Sequence, residues 1–215
     1  MADLLGLCVP YELPAHIPQG RVTEVFGRGA FRAAVSDGRV VMLINHEKAT
    51  VLAQQSDGTL QLSEGEPGVY ATLHLRDRTR ATELRALVEA GQVRGWSISF
   101  AADTCESQRS SDGTQVRHTR VGRLISVSLC VSVRPAYQTT WAAVDSPQAH
   151  QRVRREVVEA IERRMGNNYV PGLSDRVEST TAYQGGLAQR WIRGERERPQ
   201  GRSMLLRYRF SDCVV

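Results

Sequence analysis

A chain of 215 residues, 41% apolar and 24% charged, has the make-up of an ordinary globular protein and excludes a collagenous, low-complexity or disulfide-stapled one. No run of 18 apolar residues occurs, and the opening Met1-Ala-Asp-Leu-Leu5 lacks the basic start and long apolar stretch of a secretory signal, so neither membrane spanning nor export is expected. Residues 1–150 carry 15 basic and 15 acidic groups and residues 151–215 carry 13 and 8, which puts the whole net charge of +5 in the last stretch.

From the N-terminus, Leu4 to Val9 reads as a short apolar strand, followed by a loop punctuated by Pro10, Pro14, Pro18 and Gly20 and by a second strand over Arg21 to Phe26. Val40 to Asn45 is nearly all apolar, the pattern of a strand buried on both faces. Leu60 and Leu62, the turn Glu64-Gly-Glu-Pro-Gly68, and Val69, Ala71, Leu73 and Leu75 form a hairpin pattern. Between Asp77 and Gly91 the period becomes helical, with Ala81, Leu84, Leu87 and Val88 on one face, Thr79 or Thr82 as N-cap and Gly91 at the C-terminal end.

Period two returns over Gly95 to Ala101, where Trp96, Ile98 and Phe100 oppose Ser97 and Ser99. A polar loop is expected over Glu106 to Gly113, then the cleanest strand, Leu124 to Val133, in which Ile125, Val127, Leu129, Val131 and Val133 oppose Ser126, Ser128, Cys130 and Ser132. Ser146-Pro147 begins a helix with Val153, Val157 and Ile161 as its apolar stripe, ending near Gly166. This divides the chain into a β-rich domain over 1–143, a following helix over 144–166 and a basic, irregular tail over 167–215, in which Met204 to Phe210 reads as a short strand.

Cys8, Cys105, Cys130 and Cys213 show no C-x-x-C pairing and no histidine at ligand spacing, so a reduced, cytosolic chain without metal or cofactor is expected. His16, His74 and His150 read as surface residues without a partner. The basic groups of the tail alternate with acids, as in Arg193-Gly-Glu-Arg-Glu-Arg198, the mark of a solvated segment, so no nucleic-acid partner is expected although Trp191, Tyr208 and Phe210 offer stacking surfaces.

Two places carry chemistry. Asn45-His46-Glu47 puts an imidazole where an apolar strand gives way to charge, and Gly95-Trp-Ser-Ile-Ser-Phe100 offers two serines on one strand face. The second is not the elbow of an α/β-hydrolase, because no helix follows it.

The ordered series Glu24-Val-Phe-Gly-Arg-Gly-Ala-Phe31, Leu43-Ile-Asn-His46, Gly58-Thr-Leu-Gln-Leu62 with Gly68-Val-Tyr70, Gly95-Trp-Ser-Ile-Ser-Phe100, and Arg134-Pro-Ala-Tyr137 with Thr139 or Thr140 strongly resembles the prohead (head maturation) proteases of tailed bacteriophages, which are similar to herpesvirus assemblin. The resemblance runs from about Leu5 to Val144. It implies an α+β, mainly β protein: a closed, mostly antiparallel barrel with flanking helices. It also implies a serine endopeptidase with Ser97 as nucleophile and His46 as general base.

The expected substrates are the major capsid protein and the scaffold protein, cut inside the immature prohead in the host cytoplasm, with self-cleavage and a homodimer as further options and no membrane partner. Three departures accompany the resemblance. Ser99 stands where the family usually has Gly, and Ser128-Leu-Cys-Val-Ser-Val133 lacks the Glu of a Glu-Val-Ser sequence. The first strand starts almost at residue 1, leaving little propeptide. For the missing acid, His118, 21 residues after Ser97, is the candidate third member, as in assemblins. Glu47 adjoins His46 and is expected to point away, and without His118 the enzyme would be a dyad with water or Ser128 behind His46, or a catalytically inactive structural relative.

Overall fold

The computed structural model describes residues 3–17, 22–111 and 113–165. The tail over 167–215, with Trp191, the Met204 to Phe210 run and Cys213, lies outside the described residues. Two sheets share one core. The first is antiparallel, in the order β10-β1-β7-β6, where β1 is Leu4–Pro10, β6 is Leu60–Gly65, β7 is Gly68–Leu73 and β10 is Ala143–Val144. All of β1 is buried, as its unbroken apolar run requires.

The second sheet is built around β9, Gln115–Val131. β8, Val93–Arg109, runs antiparallel along one edge of β9 from Val93↔Val131 to Arg109↔Gln115. The other edge is shared by two parallel neighbours: β3, Val22–Phe26, on residues Gln115 to Thr119, and β4, Val41–Ile44, on Ser126 to Leu129. β2, Ala15–Ile17, and β5, Ala53–Gln54, close the ends. Side chains of both sheets meet in the core, with Leu4, Leu60 and Leu73 from the first and Phe26, Met42, Trp96 and Leu129 from the second, all nearly inaccessible. Each full burial of this kind contributes roughly 1.5–3 kcal/mol against the cost of ordering the chain.

The barrel expected from the resemblance is not closed, and β3 and β4 depart from the antiparallel pattern. No ladder joins β1 to β8 or β6 to β5, and between β1 and β8 stands the segment around Thr140. Trp141 N donates to Leu7 O, Trp96 N donates to Thr140 Oγ1, and the single proton of the Thr140 hydroxyl is shared between Tyr137 O at 2.7 Å and Trp96 O at 3.0 Å. The edge of β8 at Trp96 is thus satisfied by one threonine instead of a strand. Gly6 and Gly95 make this wedge possible: a Cβ on Gly6 would lie 1.9 Å from Trp141 O, and one on Gly95 2.6 Å from Thr140 Oγ1.

Three helices complete the fold: α1 (Arg32–Asp37), α2 (Arg78–Glu89) and α3 (Pro147–Met165). The N-cap of α2 is Asp77, not a threonine; its carboxylate accepts from Thr79 N and Arg80 N, which a hydroxyl at 79 or 82 is placed too late to do. α3 lies on the outer side of the first sheet, where Trp141, Leu5, Leu7, Tyr70 and Ala149 form a second small core and Tyr70 Oη donates to Glu156. His150, expected to be unpartnered, meets Asp145 at 2.6 Å. The polar loop expected over Glu106 to Gly113 is shorter, because Glu106 to Arg109 pair with His118 to Gln115 and lengthen the hairpin.

Candidate active site

The imidazole is placed by a tight turn. Glu47 N donates to Ile44 O at 2.9 Å, and the two central residues, Asn45 and His46, have φ of 49° and 62°. Both are left-handed, as a type I′ turn demands, and asparagine and histidine are among the side chains that enter this region most readily. The Asn45 carboxamide fixes the turn to β9, accepting from Val131 N at 2.9 Å and donating to Val131 O at 3.2 Å. It extends the β4–β9 ladder one step past the strand, in the manner of a peptide group. Glu47, the last residue of the turn, is exposed.

His46 leaves the end of β4 and must cross β9 to reach β8, two interstrand spacings or roughly 10 Å away. Its Nε2 lies 2.8 Å from Ser97 Oγ. Ser97 faces Ser128 across the β8–β9 ladder, and Ser99 faces Ser126, so four hydroxyls share one patch of the sheet. The Thr140 hydroxyl holds the backbone of Trp96, the residue before the serine, by both its N–H and its carbonyl. Ser97 therefore sits on a strand clamped on both edges.

The other ring nitrogen of His46, Nδ1, lies 3.4 Å from both Ser99 Oγ and Ser128 Oγ. Partial burial of the ring holds its pKa below the ordinary imidazole value, which keeps it neutral and able to accept a proton near pH 7. His118 is not brought to His46. It pairs with Val25 and Glu106, ten residues along β9 from Ser128, and the side-chain partners of His46 are Ser97, Ser99 and Ser128.

A cavity of about 260 Å³ opens beside Ser97 and His46, with Phe100, Glu24, Arg117 and Tyr137 in its wall. Phe26, Phe31 and Phe100 meet edge to face and Tyr137 lies tilted against Phe26, with centroids 5.0–5.6 Å apart, and this cluster stiffens that side. The buried Glu24 carboxylate in the wall is engaged by Arg117 and by the Tyr137 hydroxyl, not by His46. Burial, reinforced by Glu24, pushes the Tyr137 phenol well above its ordinary pKa.

A family model described as caudovirus prohead serine protease matches residues 10–154. The chain belongs to that family. The match ends within α3 and takes in both the His46 turn and the Ser97 strand. No curated protein matches the sequence. Among the described residues no three His, Cys, Asp or Glu side chains gather as a metal site would require.

Several contributors carried no role in the sequence reading: the carboxamide of Asn45, the hydroxyl of Thr140 and the Glu24–Arg117–Tyr137 group. Asn45 had a local signal, an asparagine next to a histidine at a strand end, where a left-handed turn is easily made. The other two act across more than 40 residues of sequence, and although Glu24, Tyr137 and Thr140 stand in the motif blocks, no spacing says what they bond to.

Proposed function

We propose that this prohead protease family member is an active serine endopeptidase in which Ser97 is the nucleophile and His46 the general base, acting on the capsid and scaffold proteins inside the immature shell and then on itself. The observation that carries this reading is the 2.8 Å approach of Ser97 Oγ to His46 Nε2, a hydrogen-bond distance already suited to proton transfer.

In the reaction the Ser97 hydroxyl donates its proton to Nε2 as its oxygen attacks the scissile carbonyl carbon. That requires the tautomer with hydrogen on Nδ1, and Nδ1–H then donates to the Ser99 or Ser128 hydroxyl oxygen. The imidazolium returns its proton to the departing amine, leaving an acyl-enzyme that water hydrolyses by the same route in reverse. Two neutral hydroxyls fix the ring's orientation and tautomer without supplying the negative charge of a triad carboxylate, so the dyad form of the mechanism fits these contacts.

A fluorophosphonate probe tests the assignment. Wild type should be labelled on Ser97 and should process co-expressed capsid or scaffold protein, and Ser97→Ala should do neither. Labelling and processing retained in Ser97→Ala would remove the assignment.

A further inference from the structure

The cavity beside Ser97 and His46 is smaller than the roughly 300–1,000 Å³ of small-molecule pockets, a size suited to one or two substrate side chains. Phe100 and Ala136 give it apolar wall, and Glu24, Arg117 and Thr119 give it polar groups. Glu24 and Arg117 form an ion pair of 3.2 Å with side chains only 6% and 16% exposed. Both Glu24 oxygens are used, one by Arg117 and the other by the Tyr137 hydroxyl.

Arg117 and Thr119 retain spare hydrogen-bonding capacity. Among the described residues, Arg117 Nε and Thr119 Oγ1 are two of three buried side-chain polar atoms without a partner. Such orphans are rare in folded proteins, and a pair of them on residues of one cavity beside a nucleophile marks a place for a ligand's polar group. Guanidinium can only donate, whereas a hydroxyl donates and accepts. The ion pair is neutral as a whole, so a substrate carboxylate or ammonium would bring one uncompensated charge into a largely desolvated pocket.

A carboxamide avoids that cost. Its carbonyl oxygen accepts from Arg117, its amide donates to the Thr119 oxygen, and the pocket stays neutral. With the Ser97 and His46 assignment proposed above, we infer that this pocket binds the side chain of a residue flanking the scissile bond and selects glutamine, whose two methylenes cover the Phe100 and Ala136 walls. Arg117, Thr119 and Glu24 are then the specificity-determining residues.

The test is cleavage of a proteome-derived peptide library, read by mass spectrometry, with active enzyme counted by fluorophosphonate titration. Wild type should enrich glutamine at one position flanking the cut by at least about tenfold over glutamate, lysine and alanine, the scale of a lost hydrogen-bond partner in a buried site. Among molecules that still take the label, Arg117→Met should lose the glutamine preference. Glu24→Gln, which leaves Arg117 unpaired, should move it toward glutamate. A labelled wild type with no glutamine enrichment on either side, or with a charged residue enriched, overturns the pocket assignment alone. A wild type that takes no label strikes the serine protease reading, and the pocket assignment falls with it.

Discussion

The two halves of the β8–β9 hairpin belong to one continuous ladder but differ in sequence, Trp96-Ser-Ile-Ser99 alternating and Glu106-Ser-Gln-Arg109 polar throughout, and they end in different environments. In the near half, Trp96 to Ser99 lie opposite Leu129 to Ser126, β4 covers the outer edge of β9, and Ser126 and Ser128 are 4% and 0% exposed. In the far half, Glu106 to Arg109 lie opposite His118 to Gln115 and are exposed. Alternation states only which residues share a face. Whether that face meets water is decided by what crosses it, and here the His46 turn crosses the near half alone. A hydroxyl buried under an imidazole needs a hydrogen bond, which is why Ser128 contacts His46 Nδ1.

The largest expected effect lies in the near half. Ser97→Ala and His46→Ala should each lower turnover by roughly six orders of magnitude, since nucleophile and base act as one unit. Their double variant should be no worse than either alone. Additive losses, measured on a cleavable peptide, would mean that the two residues do not work together and would dissolve the distinction between the halves.

Next comes the turn that aims the ring. Asn45→Ala removes both bonds to Val131 and puts a poor left-handed residue beside His46. A displacement of about 1 Å at a reacting group costs on the order of 10²-fold, so kcat should fall by about that factor while KM holds. Unchanged kcat would show that Asn45 has no part in positioning the base.

The pH profile follows from the lowered pKa of His46, caused by partial burial of its ring. Protonated His46 cannot accept the serine proton, so kcat/KM should be constant above the ordinary imidazole pKa of about 6.5 and fall tenfold per pH unit only at more acidic pH. Placing a carboxylate against Nδ1 with Ser128→Asp should stabilise the imidazolium and move this acid limb to higher pH. A limb that stays put in that variant would separate Ser128 from the base. Ser99→Ala and Ser128→Ala should each cost about tenfold or less, because the remaining hydroxyl can still accept from Nδ1.

Much of this is legible in the sequence. The strands around Val25, Leu43 and Leu73, the long helices and the Ser97–His46 pair all follow from periodicity or from the ordered motif blocks. Burial of the serines was not, because period two predicts a solvated face and says nothing of a turn folded over it. The alternation also broke at Ile125, which is 50% exposed. Ser99 pairs with Ser126 but Phe100 with Leu124, so Ile125 is the extra residue of a bulge. The open barrel was equally hidden, because the wedge at Thr140 depends on Gly6 and Gly95 lacking a Cβ toward a segment far away in sequence.

The smallest expected effect is the sharpest test of the comparison, because it concerns the residue that the family resemblance put forward for the missing acid. A third member must touch the base: it fixes the imidazole tautomer and supports the imidazolium, and losing it in a serine protease costs about 10⁴ in rate. His118 sits on the far half of the hairpin, paired with Val25 and Glu106, and the Nδ1 of His46 is served by Ser99 and Ser128. His118→Ala should therefore leave kcat/KM within about twofold, less than 0.5 kcal/mol of transition-state stabilisation, with the acid limb of the pH profile unmoved. A loss of orders of magnitude at an unchanged unfolding midpoint would mean that His118, whose neighbours Arg117 and Thr119 line the cavity beside Ser97, turns onto His46 during turnover.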